Sequence, residues 1–157
     1  MKNTTLCYIR KDDEYLVIHR TKKENDLNKD KWIGVGGKFL PGETPEQCML
    51  REAKEETGLT VRNLKYCGMM HWHNTDTNDK YFVHFYKTTD YTGELIEKTD
   101  EGEVFFSSIE DLKKMELSPN FSEYLKMFFS DEHFEIFCNW NEEMKKDGEP
   151  EWNFQYK

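Results

Sequence analysis

The fold of this chain is decided by one continuous stretch, GGKFLPGETPEQCMLREAKEETGL at residues 36–59. Two glycines lead into a turn, and the turn leads into a predicted helix. Thr44 is a favourable N-cap, Pro45 suits the first helical position, and Gln47 completes a Thr-x-x-Gln capping box. Gly58 supplies the left-handed residue that commonly follows a helix. The sequence therefore predicts a helix that begins after Thr44 and ends at Gly58.

The predicted helix carries three carboxylates on one face. With about 3.6 residues per turn, Glu52, Glu55 and Glu56 lie at i, i+3 and i+4 and share that face. Arg51 precedes Glu55 by one turn, within reach of an ion pair. The glutamates can form a solvated acidic face that binds no ion. However, a hard divalent cation such as Mg²⁺ prefers oxygen ligands, and a glycine turn lets backbone carbonyls and a substrate approach closely. The glycine turn, the capped helix that follows it and the acidic face of that helix together indicate a metal site.

The same residues fill a known family motif. Gly37, Glu43 and the run at 51–59 occupy every fixed position of the Nudix box, which spans residues 37–59. The chain therefore resembles the Nudix hydrolases, and within them the MutT-type branch that includes 8-oxo-dGTP diphosphatases. The resemblance implies an α/β fold, an α/β/α sandwich around a mixed β-sheet, formed by a single domain of residues 1–157.

The resemblance also implies roles for individual residues. A loop carboxylate often joins the metal site in relatives, and Glu101 is chosen here over Glu97 and Glu103. Glu43 and Arg51 would take part in catalysis by bracing the loop and the helix. One of the site carboxylates would accept a proton as general base, and which one stays open. The expected ligands for Mg²⁺ or Mn²⁺ are the Gly36 carbonyl and the carboxylates of Glu52, Glu55, Glu56 and Glu101.

A local basic cluster precedes the glycines in this otherwise acidic chain; it consists of Lys22, Lys23, Lys29 and Lys31. These lysines are either solvated loop charges or, in part, phosphate ligands that act with Arg20 and Lys38. Trp32 either packs on the core or lines a base pocket. The expected substrate-binding residues are Arg20, Lys23, Trp32, Gly37 and Lys38.

Composition narrows the classes of molecule that the chain is expected to bind. The formal net charge of −9 argues against a nucleic-acid polymer, but a bound divalent cation can reverse the local field for a phosphorylated small molecule. The scattered cysteines, without a Cys-x-x-Cys pair, favour reduced thiols in a cytoplasmic protein. Cys48, one turn before Glu52, is expected to be a packing residue. No signal peptide and no apolar run of about 18 residues is found, so no membrane partner is expected. The sequence does not indicate an oligomeric state.

Periodicity predicts the remaining elements. Strand 80–87 has apolar or aromatic residues on both faces, which indicates burial on two sides or one face that lines a pocket. The acidic segment 91–100 is expected to include a short strand, and Ser107 or Ser108 is expected to cap a helix. The other predicted strands cover residues 4–10 and 14–20, joined as a hairpin, 61–72, 101–106, and a terminal hairpin of 133–140 with 152–156. The later predicted helices cover residues 109–115 and 119–129.

The expected activity follows from the resemblance. In MutT-like relatives, water attacks the β-phosphorus of a nucleoside triphosphate and releases the monophosphate and pyrophosphate. The chain is therefore expected to be a Mg²⁺-dependent nucleoside triphosphate pyrophosphohydrolase that acts on 8-oxo-dGTP or a related purine nucleotide in nucleotide-pool sanitation. Two alternatives remain. One is a Nudix hydrolase of another nucleoside diphosphate derivative, such as ADP-ribose or a dinucleotide polyphosphate. The other is a non-catalytic Nudix domain that binds a nucleotide or a protein.

Overall fold

The computed structural model describes residues 2–20, 31–99, 102–114, 133–141 and 151–156. Within these ranges the chain is mostly strands, with two helices. The strands and helices, in chain order, are β1 (Lys2–Lys11), β2 (Glu14–Arg20), β3 (Lys31–Ile33), β4 (Val35–Lys38), α1 (Pro45–Thr57), β5 (Thr60–Arg62), β6 (Lys65–Asn74), β7 (Lys80–Thr88), β8 (Asp90–Thr92), β9 (Lys98–Thr99), β10 (Gly102–Ser108), α2 (Ile109–Lys114), β11 (Phe134–Trp140) and β12 (Glu151–Tyr156). The predicted helix at 119–129 lies outside the described residues.

The strands form one large mixed sheet in the order β12-β11-β6-β7-β1-β2-β10-β9. β1 and β7 pair in parallel, as do β11 and β6, whereas β6 and β7 pair antiparallel. β1 has two partners on its other side: β4 pairs with its first half and β2 with its end. β5 and β8 form a separate two-stranded sheet.

Each face of the sheet has its own hydrophobic core, because side chains alternate along β1. Cys7 lies in the buried cluster that contains Met49 and Ala53 of α1. Tyr8, the next residue, lies in the cluster that contains Leu112 of α2. The helices therefore cover opposite faces, and the predicted α/β/α sandwich around a mixed sheet is confirmed.

One predicted strand is wrong. The predicted strand at 61–72 is divided into β5 and β6 at Asn63, whose backbone is left-handed with φ of 52°. Asparagine adopts this conformation more readily than most residues because its short side chain can hydrogen-bond locally. Here Asn63 Nδ2 donates to Asp90 Oδ2 over 2.6 Å, which ties the interruption to β8.

The short strands β3 and β4 were not predicted. The remaining described elements agree with the predictions within a few residues. β1 and β2 form the expected hairpin, and β11 and β12 form the expected terminal hairpin, which joins the sheet at β6. The segment 91–100 contains β9 and the end of β8. Ser108 caps α2, since its Oγ accepts a hydrogen bond from the Asp111 N–H over 3.1 Å. Neither described helix is long and apolar enough to cross a membrane.

Candidate active site

Helix α1 begins and ends where its capping residues predict. The Thr44 hydroxyl accepts a hydrogen bond from the Gln47 N–H, and the Gln47 side chain accepts one from the Thr44 N–H. At the other end, Gly58 is left-handed with φ of 78° and donates to the Lys54 carbonyl. These caps satisfy backbone groups that a helix leaves open at its ends. The helix register, and hence the direction of each glutamate, is fixed locally.

The three predicted metal-binding glutamates differ sharply in exposure. The Glu55 side chain is 59% exposed, that of Glu52 is 14% exposed, and Glu56 as a residue is 7% exposed. A solvated acidic face would leave all three in water, because burying a carboxylate is costly unless other groups compensate it. The acidic stripe therefore runs from the surface into the protein.

Arg51 connects the turn to the helix. Its Nε and Nη2 donate to the two oxygens of Glu43 over 2.8 and 2.9 Å, and Nη2 also donates to the Lys38 carbonyl over 2.9 Å. Its Nη1 donates to Glu52 Oε1 over 2.8 Å and to Glu55 Oε2 over 3.0 Å, which includes the predicted i,i+4 ion pair. All five guanidinium N–H groups are thus engaged. Arg51 holds the turn and two of the three glutamates together.

The charges of this network reinforce one another. The paired Arg51 guanidinium lowers the pKa of Glu43 below its ordinary value, and hydrogen bonds to Glu43 and Glu52 raise the pKa of Arg51. Glu43 Oε1 also accepts from the Leu40 N–H over 2.6 Å, which closes the turn on itself. Charge-assisted hydrogen bonds of this kind are stronger than neutral ones. The turn is therefore rigidly attached to α1.

Gly36 and Gly37, in β4 just before the turn, allow neighbouring groups to come closer than a side chain would permit. A Cβ at Gly37 would lie 2.4 Å from the carboxyl carbon of Glu52, and a Cβ at Gly36 would lie 1.9 Å from the Thr5 carbonyl oxygen. Glu52 therefore occupies the space that a side chain at Gly37 would fill. The glycines bring the helix carboxylate directly against the backbone of β4.

The register of β4 determines where the Gly36 carbonyl points. The Phe39 N–H donates to the Asn3 carbonyl over 3.1 Å, and Gly36 is paired with Leu6. Hydrogen-bonded pairs alternate with non-hydrogen-bonded pairs in an antiparallel ladder, so Gly36 falls at a non-hydrogen-bonded position. Its carbonyl is turned away from β1 and accepts no hydrogen bond from that strand.

The donor set fits a hard divalent cation. Carboxylate and carbonyl oxygens suit Mg²⁺ or Mn²⁺, and the Gly37 position places Glu52 beside the β4 backbone without a side chain between them. In the described part of the chain, no three histidine, cysteine, aspartate or glutamate side chains converge as a metal cluster. Two of the expected ligands, Glu52 and Glu55, accept hydrogen bonds from Arg51 Nη1.

The predicted substrate residues are placed in part. Gly37 and Lys38 lie in β4, and Lys38 is exposed next to the turn. Arg20 lies in β2 and Trp32 in the adjacent β3. Lys23 and the predicted loop ligand Glu101 lie outside the described residues.

A cleft of about 540 Å³ opens beside the turn and includes a cation that the sequence analysis did not single out. Lys2, at the start of β1, lines this cleft together with Lys38, because Thr4 pairs with Lys38. The position of Lys2 in the sequence carries no signal of this proximity. The full lining is Lys2, Asn3, Lys38, Phe39, Leu40, Pro41, Gly42 and Glu43.

A buried polar contact behind the turn was also missed. Cys48, expected to be only a packing residue, places its Sγ 3.4 Å from Thr5 Oγ1 and 3.6 Å from the Gly37 carbonyl oxygen. Burial raises the pKa of the Cys48 thiol, so the group stays protonated and can donate. The only hint in the sequence is that Thr5, a polar residue, alternates in phase with the buried Cys7 and Ile9.

Comparison with known proteins identifies relatives of this arrangement. Residues 2–128 match the family model described as NUDIX domain. The chain is 36% identical over 78 residues to the oxidized purine nucleoside triphosphate hydrolase of Danio rerio, a match that spans 50% of each protein. It is 22% identical to the uncharacterized Nudix hydrolase YvcI of Bacillus subtilis, over 76% of this chain and 73% of that protein. The crystal structure of the Mutator MutT protein from Bacillus halodurans superposes with a TM-score of 0.84 at 20% identity, and covers 99% of this chain and 98% of that one.

Proposed function

Because the chain belongs to the NUDIX domain family, we propose that it is a divalent-metal-dependent hydrolase of nucleotide phosphoanhydrides that cleaves a nucleoside triphosphate to the monophosphate and pyrophosphate. One observation carries the proposal. The Glu52 carboxylate is packed against Gly37 and held there by Arg51. An acidic side chain in so tight a place, beside a backbone carbonyl turned away from its ladder, suits the binding of a cation more than solvation.

The residues that would hold Mg²⁺ or Mn²⁺ are the Gly36 carbonyl and the carboxylates of Glu52, Glu55 and Glu56, with Glu101 as the expected loop ligand. When bound, the ion supplies positive charge for the phosphate oxygens and makes water a stronger nucleophile. Glu52 and Glu55 have to exchange their hydrogen bonds to Arg51 Nη1 for the ion. The bidentate contact from Arg51 to Glu43 involves other nitrogens, so the turn can stay attached to α1 during that exchange.

The remaining chemistry belongs to the side chains around the turn. A site carboxylate that is not saturated by Arg51 or by the ion can accept the proton of the attacking water as general base. Lys38, with Arg20 and Lys23, would bind the phosphate chain, while Gly37 would allow its close approach and Trp32 would contact the base. The arrangement requires no covalent enzyme intermediate, since binding and orientation bring water to the β-phosphorus.

The proposed substrate is an oxidised purine nucleotide such as 8-oxo-dGTP. Two features support it: the name of the Danio rerio relative, which is 36% identical over half of this chain, and the aromatic strand β7. Two residues of β7, Phe85 and Tyr86, are buried in different cores, so this part of the strand is covered on both sides. Phe82 and His84 are only partly buried, and they leave aromatic surface for a ligand.

A product analysis tests the proposal. Purified protein would be incubated with 8-oxo-dGTP, ordinary NTPs and dNTPs, ADP-ribose and a diadenosine polyphosphate, with and without Mg²⁺. We expect Mg²⁺-dependent release of pyrophosphate, with the highest kcat/KM for 8-oxo-dGTP. Faster turnover of ADP-ribose or of a dinucleotide would retain the hydrolase class and change the substrate. Nucleotide binding without turnover of any compound would contradict an enzymatic role.

Matched variants connect the activity to the site. Glu52→Gln and Glu56→Gln each remove a charge from the proposed metal site and are expected to lower kcat about a hundredfold or more. Glu46→Gln removes an exposed carboxylate from the first turn of the same helix and serves as the control. Equal activity in all three variants would refute the assignment of the site.

A further inference from the structure

The Gly37 carbonyl is approached by two buried side chains from different parts of the chain. Thr5 Oγ1 lies 3.4 Å from this oxygen and Cys48 Sγ lies 3.6 Å from it. The two side chains also contact each other over 3.4 Å. Thr5 and Cys48 are both buried, so the contact between them is shielded from water. Whichever way the hydroxyl and thiol hydrogens are shared, one of them can always be donated to Gly37.

This contact acts on β4, just before the turn. Gly37 is paired with Thr5 at a hydrogen-bonded position of the ladder, next to Gly36 at a non-hydrogen-bonded position. The two side chains therefore add to the ladder bond on the Gly37 carbonyl, in a stretch where glycine allows the widest conformational freedom. The Gly36 and Gly37 carbonyls are separated by the two backbone dihedral angles of Gly37. Fixing the Gly37 carbonyl therefore restricts the rotation that sets the direction of the Gly36 carbonyl. On the other side of the thiol, Arg51 Nη2 lies 3.8 Å from Cys48 Sγ. The anchor is therefore continuous with the network that holds Glu43 and Glu52.

We propose that Thr5 and Cys48 are positioning residues, which anchor the Gly37 carbonyl and thereby hold the neighbouring Gly36 carbonyl in the direction required to bind the divalent cation. The inference rests on the proposed function, because it assigns a purpose to the orientation of Gly36. Thr5 and Cys48 touch neither substrate nor ion; they act through the backbone of β4.

Four variants separate hydrogen bonding from packing. Thr5→Val preserves the shape of the side chain and removes the hydroxyl, whereas Thr5→Ser retains the hydroxyl. Cys48→Ala removes the donor, whereas Cys48→Ser retains one. The matched controls are Thr88→Val and Cys67→Ala, because each native side chain is buried and donates to a backbone carbonyl away from the turn.

The first readout is Mn²⁺ affinity without substrate, measured by electron paramagnetic resonance. Thr5→Val and Cys48→Ala are expected to weaken Mn²⁺ binding about tenfold, the usual effect of losing a group that orients a metal ligand. The serine variants are expected to recover most of the affinity, and the two controls to match the wild type. Equal losses in the serine and the donor-free variants would show a packing effect and overturn the proposal, as would wild-type affinity in all of them.

The second readout is amide hydrogen exchange in the metal-free protein at Gly37, the hydrogen-bonded position of β4. It is expected to accelerate in Thr5→Val and Cys48→Ala relative to the controls, while exchange in the centre of β7 stays unchanged. This readout distinguishes the anchor from the proposed function. If wild-type protein binds no Mn²⁺, the proposed function fails, and faster exchange in these two variants still supports the anchor. Unchanged exchange at Gly37 in both variants overturns the anchor.

Discussion

Gly36 and Gly37, which are adjacent in β4, should respond to alanine in opposite ways. At Gly37, the new Cβ would lie 2.4 Å from the carboxyl carbon of Glu52, whereas ordinary van der Waals contact begins at 3.4 Å. The carboxylate must therefore withdraw by about 1 Å, which costs little because it is the end of a flexible side chain. At Gly36, the Cβ would lie 1.9 Å from the Thr5 carbonyl oxygen, and that backbone atom can move only if β1 and β4 separate.

The two substitutions therefore separate activity from stability. Gly37→Ala is expected to lose about a hundredfold in kcat/KM, because a displacement of about 1 Å in a positioned group has an effect of that size. Its unfolding free energy should fall by less than about 1 kcal/mol. Gly36→Ala should lose about 1–3 kcal/mol or more of unfolding free energy, as overpacked positions do.

Urea denaturation followed by circular dichroism measures the stability of both variants, and pyrophosphate release measures their activity. Neither glycine has a positive φ, so an alanine introduces the steric contact without left-handed backbone strain. The reasoning would be refuted if Gly37→Ala kept wild-type kcat/KM, or if it were destabilised as strongly as Gly36→Ala.

Three further predictions follow from the turn and the helix. Arg51→Lys cannot donate to Glu43 and Glu52 in a planar fork, so it should lower both the Tm of the metal-free protein and kcat/KM. A wild-type Tm in calorimetry would show that Arg51 does not hold the turn to α1. The lowered pKa of Glu43 means that its charged form stabilises the fold. The Tm difference between wild type and Glu43→Gln should therefore be full at pH 7 and shrink as the pH falls below the ordinary pKa of 4.5. A Tm difference that does not depend on pH would exclude this linkage. Mg²⁺ at a hundred times its Kd should add about 2.7 kcal/mol to the free energy of unfolding and so raise Tm, and EDTA should reverse the rise. Glu56→Gln should abolish the rise in Tm. A rise that persists in this variant would exclude Glu56 from the metal site.

Local signals in the sequence predicted the helix but not its surroundings. The capping box at Thr44 and the stop at Gly58 act within one turn of the chain, so the bounds of α1 could be read directly. Helical periodicity likewise predicted the ion pair between Arg51 and Glu55. It could not predict that Glu56 is buried while Glu55 is exposed, because that depends on which edge of the helix faces the sheet.

Features that depend on distant pairing could not be predicted. The contact from Thr5 to the Gly37 carbonyl joins residues 32 positions apart, and it exists only because β1 and β4 pair in this register. The interruption at Asn63 was missed for a different reason. The apolar alternation changes phase there, from Val61 to Leu64, and the prediction extended one strand across the shift. In the structure the left-handed backbone and the contact with Asp90 mark the division.

The division of β1 between two partners has a consequence for how far the motif is transferable. β4 pairs with residues 4–7 of β1 and β2 with residues 10–11, so the sheet forks along a single strand. The motif supplies only β4, one of the two strands that pair with this side of β1. The strand that orients its glycines is β1 itself, which lies outside the motif. An isolated peptide of residues 36–59 would contain every residue of the box and still lack the site. The proposed site therefore depends on the pairing of β4 with β1 as well as on the residues of the Nudix box.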